Sequence, residues 1–341
     1  MTDVRGIEQA PVTAWLADHV KGAVAPFTFS LIAGGRSNLT YRVAGADGTQ
    51  FVLRRPPMGN VLATAHDMGR EHRIISAVGK TNVPVAPALG MCTDEAVNGA
   101  PFYVMGYVDG IVLDSPEAGQ AFPEPLRAVA AHSMIDTLAD LHAVVPDDIG
   151  LGELGKREGY IERQLKRWST QWEKSKTREL PLMEEVHGLL AELRPEQRYT
   201  GIVHGDYRLG NALVSRETGK ILAVLDWELC TLGDLMADVG YLLVYWSDPG
   251  PNPMRKNDPS GAYGFPTRAE LLARYADRTG RDLSAVGYYE AFSCWRLACI
   301  AEGVRARYRA GVMADTNDEA EAEDSVLALA ERAKTAIEAI G

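Results

Sequence analysis

Residues 201–228 read GIVHGDYRLGNALVSRETGKILAVLDWE, and few folds accommodate such a stretch. Three short apolar runs, at 201–203, 212–214 and 221–225, alternate with polar turns. Runs this short, bounded by Gly, Asp, Asn and Thr, predict strands rather than helices. Polar loops at the ends of short strands bring their side chains to a shared rim. His204-Gly205-Asp206 closes the first run, Asn211 follows Asp206 by five positions, and Asp226 ends the third run. Two carboxylates and one carboxamide are therefore expected to converge. Hard oxygen donors of this kind suit Mg²⁺, which needs few protein ligands when phosphate oxygens supply the others. Asp and Asn also occur in solvated turns for conformational reasons alone. The added Asp226-Trp227-Glu228 at a strand end is what separates this stretch from such turns.

The elements around it fall into two regimes. Residues 11–20 have helical spacing, with Pro near the start. Three strands at 27–32, 39–43 and 50–55 are joined by tight turns, and Pro56-Pro57 stops the third, which predicts an antiparallel sheet. A helix follows over 65–78, then strands at 88–92 and 101–108. From Pro123 the period is mostly helical, over 126–144, 160–172, 182–193, 236–246, 267–279, 283–309 and 317–340. Thr267-Arg268-Ala269-Glu270 reads as a capping box. Residues 248–265, rich in Pro, Gly, Asn and Asp, read as an ordered loop or a mobile lid. Arg163, Lys166, Arg167 and Lys174 read as a solvated helix face. Tyr288, Tyr289, Phe292, Trp295 and Arg296 share one late helix and suit either a core stripe or an acceptor pocket.

The H-G-D-x-x-x-x-N loop and the later D-W-E resemble the aminoglycoside phosphotransferase family, over roughly positions 30–240. The resemblance implies an α+β, protein-kinase-like two-lobe fold. An antiparallel five-stranded small lobe, residues 1–106, would hold the nucleotide, and a mainly helical large lobe, residues 107–341, would carry catalysis and the acceptor. ATP and Mg²⁺ are the implied cofactors. Asp206 takes the acceptor hydroxyl proton, and Asn211 and Asp226 hold the metal. The turn containing Gly34, Gly35, Ser37 and Asn38 lies where the family covers the nucleotide, and glycine there lets backbone approach an anion. Arginine stands where kinases keep a strand lysine. It is Arg54 or Arg55, and strand alternation alone leaves the choice open. Arginine binds phosphate bidentately but is wider and planar. Glu71 is the helix glutamate expected to steady it. The linker through Met105 and Tyr107 would offer backbone groups to the adenine edge, and glycine at 106 implies a looser hinge. His204 would brace the loop. Asp234 and Asp238 would do likewise, in a segment similar to the family's G-D-P-x-x-D but with Leu235 in place of proline.

Composition narrows the partners. A formal charge of −11 and a pI near 5.2 argue against a nucleic-acid binder. They also give weak encouragement to a cationic acceptor. Cys92, Cys230, Cys294 and Cys299 form no C-x-x-C pair, so reduced thiols and a cytoplasmic setting are expected. The most apolar segment, 239–246, is too short to span a bilayer. The expected partner is a small-molecule hydroxyl acceptor, with no nucleic acid and no membrane, and oligomeric state is not encoded legibly. Two acceptor classes stay open. The acidic charge suits an aminoglycoside. The G-G-x-S-N-x-T-Y turn and V-L-R-R-P-P strand look like the branch fused to acyl-CoA dehydrogenases, which implies a hydroxyacyl-CoA. A nucleotide-binding pseudokinase, acting as a sensor or partner-binding module, is the alternative.

Overall fold

The computed structural model describes residues 4–33, 38–58, 67–250, 258–309 and 317–340. Helix α1 (Gln9–His19) precedes three strands, β1 (Phe27–Ala33), β2 (Leu39–Gly45) and β3 (Gln50–Arg55). Helix α2 (Met68–Val78), β4 (Ala88–Cys92), the single turn α3 (Glu95–Asn98) and β5 (Phe102–Gly106) complete the first part. The sheet order is β1-β2-β3-β5-β4 and every pairing is antiparallel, so the fold is α+β with the five-stranded antiparallel sheet expected from the sequence.

Both faces of this sheet are covered. Val12, Leu16 and Val20 pack on Tyr41, Val43, Phe51, Leu53, Phe102 and Val104. On the opposite face Ile74, Ile75 and Val78 of α2 join Tyr103 in the main core. Central strand β3 consequently buries Phe51, Val52 and Leu53 in succession. The helix predicted over 65–78 begins at Met68 among the described residues. Its cap is Asp67, whose side chain accepts from the Arg70 amide at 2.9 Å. Ala65 and His66 lie outside the described residues.

The rest is mainly helical, as the change of period implies. Helices α4 (Pro116–Ala121), α5 (Glu124–Ala143), α6 (Tyr160–Ser175) and α7 (Pro181–Glu192) lead to four short strands. These are β6 (Thr200–Val203), β7 (Ala212–Val214), β8 (Ile221–Val224) and β9 (Thr231–Asp234). Then come α8 (Met236–Val244), α9 (Arg268–Thr279), α10 (Val286–Arg309) and α11 (Asn317–Glu338). Helix α10 packs against α6, α7, α8 and α11, and α5 packs against α9. Tyr288, Tyr289, Phe292 and Trp295 are all buried core residues, so the core-stripe reading holds for these four aromatics. The capping box at Thr267 and Glu270 is formed.

The three apolar runs of 201–225 form strands that pair in two small sheets, β7 with β8 and β6 with β9. Strand β9 was not anticipated, because Thr231-Leu232-Gly233-Asp234 has little strand propensity. Pairing with β6 supplies its order. Of the two readings of 248–265, the ordered loop fits its described part, where Asp258 and Ser260 are buried and bonded to each other and to Ser247. No helix among the described residues is long and apolar enough to cross a membrane.

Candidate active site

The loop after β6 is fixed from below by one buried carboxylate. Asp238 of α8 accepts the backbone N–H groups of His204 at 2.7 Å and Gly205 at 2.8 Å. His142 of α5 approaches its Oδ2 at 3.3 Å and meets the Tyr275 hydroxyl at 2.6 Å through the other ring nitrogen. Burial opposes ionisation of Asp238, but these donors outweigh it and hold its pKa below the usual carboxylate value. Burial likewise lowers the His142 pKa, against the pull of Asp238. Gly205 adopts φ +85°, and a Cβ there would stand 2.9 Å from the Leu229 carbonyl oxygen, so no other residue fits without strain.

The side chains above this brace are closely interlocked. His204 contacts the Leu225 carbonyl at 2.9 Å through Nε2, and its Nδ1 accepts the Asp206 amide at 3.2 Å. Asn211 donates from Nδ2 to both the Asp206 carbonyl, 2.8 Å, and Asp206 Oδ2, 2.7 Å. Asp206 Oδ1 is buried without a hydrogen-bond partner, and its nearest cation, Arg208 Nε, is 3.7 Å away. Arg208 lies over the Tyr245 ring, and Tyr241 faces Asp206. Burial, reinforced by that carboxylate, pushes the Tyr241 pKa well above the usual phenol value. The sequence reading missed Arg208 and Tyr241. The position of Arg208 within the loop, between Asp206 and Asn211, was the available signal.

Asp226 reaches the same rim from β8. The Leu225 amide donates to the Asn211 carbonyl at 2.8 Å, which puts Asp226 one residue beyond the β7–β8 ladder. Asp226 has φ +63°, the one left-handed non-glycine among the described residues, a conformation that aspartate tolerates better than most side chains. Its Oδ1 takes Arg54 Nη2 at 2.7 Å.

Arg54 is thus the arginine that faces the loop. Its Nε donates to Glu71 Oε2 at 2.9 Å, its Nη1 makes only a long 3.4 Å bond to Thr40, and Glu228 stands 4.0 Å off. Burial works against the guanidinium charge, but Glu71, Asp226 and Glu228 raise its pKa. Glu71 accepts from Arg54, from Asn38 Nδ2 at 2.8 Å and from the Tyr103 hydroxyl at 2.9 Å. All three neighbours donate, so Glu71 is held as a carboxylate even though burial lifts its pKa. Arg55 points to the other face, where it donates to the carbonyls of Gly6 and Asn98.

The remaining expected residues divide. Gly34, Gly35 and Ser37 lie outside the described residues. Asn38 is buried, and its amide nitrogen supports Glu71. In the linker, the Gly106 amide donates to the Pro87 carbonyl at 2.8 Å and the Tyr107 amide to Gln50 at 3.4 Å. The Gly106 amide so ties the linker to Pro87, and a Cβ at 106 would press on Pro87 Cδ at 3.2 Å. The Met105 and Tyr107 carbonyls flank this tether, and among the described residues the Val108 amide makes no backbone hydrogen bond. Asp234 accepts the Met236 amide and the Tyr289 hydroxyl, so it braces the start of α8.

A divalent cation can be tested against these donors. The Asn211 amide nitrogen is committed twice to Asp206, which leaves Oδ1 as its ligand atom. Arg54 holds Asp226 Oδ1, which leaves Oδ2. Among the described residues no cluster of three His, Cys, Asp or Glu side chains forms a metal cage. Two oxygen donors fit a hard cation whose shell is completed by phosphate and water, as Mg²⁺ prefers.

The profile of the phosphotransferase enzyme family matches residues 28–291. A structure from Ralstonia eutropha JMP134, provisionally assigned as an aminoglycoside phosphotransferase, is 33% identical, with TM-score 0.80, covering 95% of this chain and 98% of that one. Acyl-CoA dehydrogenase family member 10 of Mus musculus is 37% identical over 282 residues, 81% of this chain but 26% of that protein. The chain thus spans about a quarter of that relative's length. An amicoumacin kinase in complex with AMP-PNP and Ca²⁺ shares the fold, with TM-score 0.59 and 14% identity over 95% of this chain and 93% of that one.

Proposed function

The chain belongs to the phosphotransferase enzyme family, and from that premise we propose that it moves the γ-phosphoryl group of ATP to a hydroxyl of a small molecule. The observation that carries the reading is the buried, unpartnered Oδ1 of Asp206, held by Asn211 within the loop that ends β6. A carboxylate oxygen without a close donor, with only Arg208 at 3.7 Å and Tyr241 facing the group, can accept from an incoming hydroxyl. In the transfer, the acceptor oxygen forms a bond to Pγ while the bond from Pγ to the β,γ-bridging oxygen breaks. The hydroxyl proton goes to Asp206, and the bond electrons leave with ADP.

The chain's own residues position and neutralise in this scheme. Asn211 Oδ1 and Asp226 Oδ2 would hold Mg²⁺, which supplies positive charge against the phosphate oxygens. Arg54, anchored by Glu71, offers Nη1 toward a triphosphate. Arg208 provides a cation beside Asp206. Residues 1–106 act as the nucleotide-holding lobe, with the turn at Gly34, Gly35, Ser37 and Asn38, and 107–341 as the lobe for catalysis and acceptor binding. The Met105 and Tyr107 carbonyls and the Val108 amide are the linker groups for the adenine edge. ATP use is supported by the nucleotide analogue in the amicoumacin kinase complex. The acceptor alcohol is drawn from the aminoglycoside-like or hydroxyacyl-CoA-like classes.

One observation favours a second reading. The 2.7 Å Arg54–Asp226 pair lies across the metal position, as suits a nucleotide-binding module that transfers nothing. Asp206→Asn separates the two. A transferase loses acceptor-dependent ADP release by about 10²–10⁴-fold while still binding nucleotide. A binding module shows no acceptor-dependent release in either form.

A further inference from the structure

A cavity of about 340 Å³ opens beside the candidate base, between α2, α6, α10 and the turn 228–231. Gly205, immediately before Asp206, forms part of its wall, together with Arg70, Arg167 and Arg296. Three acids also line it, Asp67, Glu71 and Glu228, but each is engaged elsewhere. Asp67 caps α2, Glu71 is filled by Arg54, Asn38 and Tyr103, and Glu228 lies 4.0 Å from Arg54. Arg70 is likewise occupied, by the carbonyls of Glu228 and Cys230.

That leaves two guanidiniums without a carboxylate partner among the described residues. Arg296 is 5% exposed. It donates from Nη2 to the Gly205 carbonyl at 2.8 Å, yet its buried Nε has no partner. Arg296 and Arg167 both approach one indole, with Cζ atoms 5.4 Å and 5.2 Å from the Trp168 ring, and Arg296 Cζ also lies 5.1 Å from the Tyr241 ring. Arg167 stands exposed at the rim, where partial burial and the nearby Arg296 charge both lower its pKa. A buried guanidinium with an unfilled donor, beside a second cation that lines the same cavity, is a setting that an anion completes. With the acids of the wall engaged elsewhere, these two cations favour an anionic group over an ammonium, despite the overall charge of −11.

We propose that Arg296 and Arg167 form an oxyanion subsite for the acceptor, taking a carboxylate or phosphoryl group while the acceptor hydroxyl meets Asp206. This rests on the phosphotransferase reading above and assigns its substrate class. Arg296 holds the carbonyl of the residue before Asp206, so an anion bound there is registered against the base through a single peptide unit. The two residues are specificity determinants, and Trp168 sets their spacing.

The test uses the full chain with ATP and Mg²⁺ and chain-matched acceptors that differ only in their far end. One series carries a carboxylate or a phosphate monoester, the other an amine. ADP release should favour the anionic series by about tenfold or more in kcat/KM, the size of one charge-assisted hydrogen bond. Arg167→Gln should raise KM for that series about tenfold with little change in kcat, and Arg167→Lys should restore part of it. Arg296 is buried and risks misfolding when changed, so the rim variant carries the test. Sulfate, titrated by calorimetry, supplies a readout without turnover: it should bind wild type and bind Arg167→Gln several-fold more weakly. A preference for the amine series, an unchanged KM in Arg167→Gln, or no sulfate binding overturns the subsite. A missing thermal shift with ATP and Mg²⁺ strikes instead at the phosphotransferase reading, and the sulfate titration still decides the anion site.

Discussion

Asp238→Asn probes the foundation of the candidate loop while changing one atom. Asp238 Oδ1 takes the Gly205 amide and Oδ2 takes the His204 amide, both in a fully buried setting. An asparagine has a single acceptor oxygen, so in either amide orientation one backbone N–H faces an NH₂ group. The loop then loses one hydrogen bond to a charged acceptor, worth about 1.5–3 kcal/mol, and keeps a buried donor unsatisfied, with a penalty of about 1–3 kcal/mol. The two overlap in part, and a net loss of about 2–4 kcal/mol is expected. For a chain of this length that corresponds to a fall in Tm of roughly 3–6 °C. Because the displaced amides belong to the residues just before Asp206, ADP release should drop more steeply than stability alone requires. Thermal unfolding and a coupled ADP assay on wild type and variant measure both. An Asp238→Asn protein with unaltered Tm and unaltered turnover would refute the bracing argument.

Two further outcomes follow from the same network. Arg54→Met leaves Glu71 buried with neutral donors alone, and should lower unfolding free energy in urea by about 2–4 kcal/mol, whereas Arg54→Lys, able to reach one acid, should recover part of it. Equal stability of all three proteins would contradict the ion-pair account. His142 should titrate by NMR below its ordinary 6.5, since burial depresses it in the folded state. Its contribution to stability is then complete above pH 6.5 and is lost as pH falls through the folded pKa. A measured value at or above 6.5 would show that Asp238 overcomes burial.

The parts of the site that could be read from the sequence are those with local signatures. Asp206, Asn211 and Asp226 are tied to short strands by spacing alone, and the structure brings them to one rim. Glu71 was reached through the resemblance and its order in the chain, and the structure places it on Arg54 at 2.9 Å. The choice between Arg54 and Arg55 was not legible, because β3 is buried on both faces and Phe51-Val52-Leu53 carries no alternation. Strand β9 was invisible for the opposite reason: its order comes from pairing with β6, not from its own residues. Arg167 looked like any cation on a solvated helix, and Arg296 was hidden in an aromatic core stripe. Only tertiary packing reveals that they share Trp168 and a cavity.

The central claim is that Asn211 and Asp226 present a nucleotide-bound Mg²⁺ to Asp206. Calorimetric titration of ATP with and without Mg²⁺, on wild type, Asp226→Asn and Asp206→Asn, tests it most directly. The account predicts Mg²⁺-dependent binding that is lost in Asp226→Asn and retained in Asp206→Asn. Equal ATP affinity in the absence of Mg²⁺, or undiminished affinity in Asp226→Asn, would contradict it.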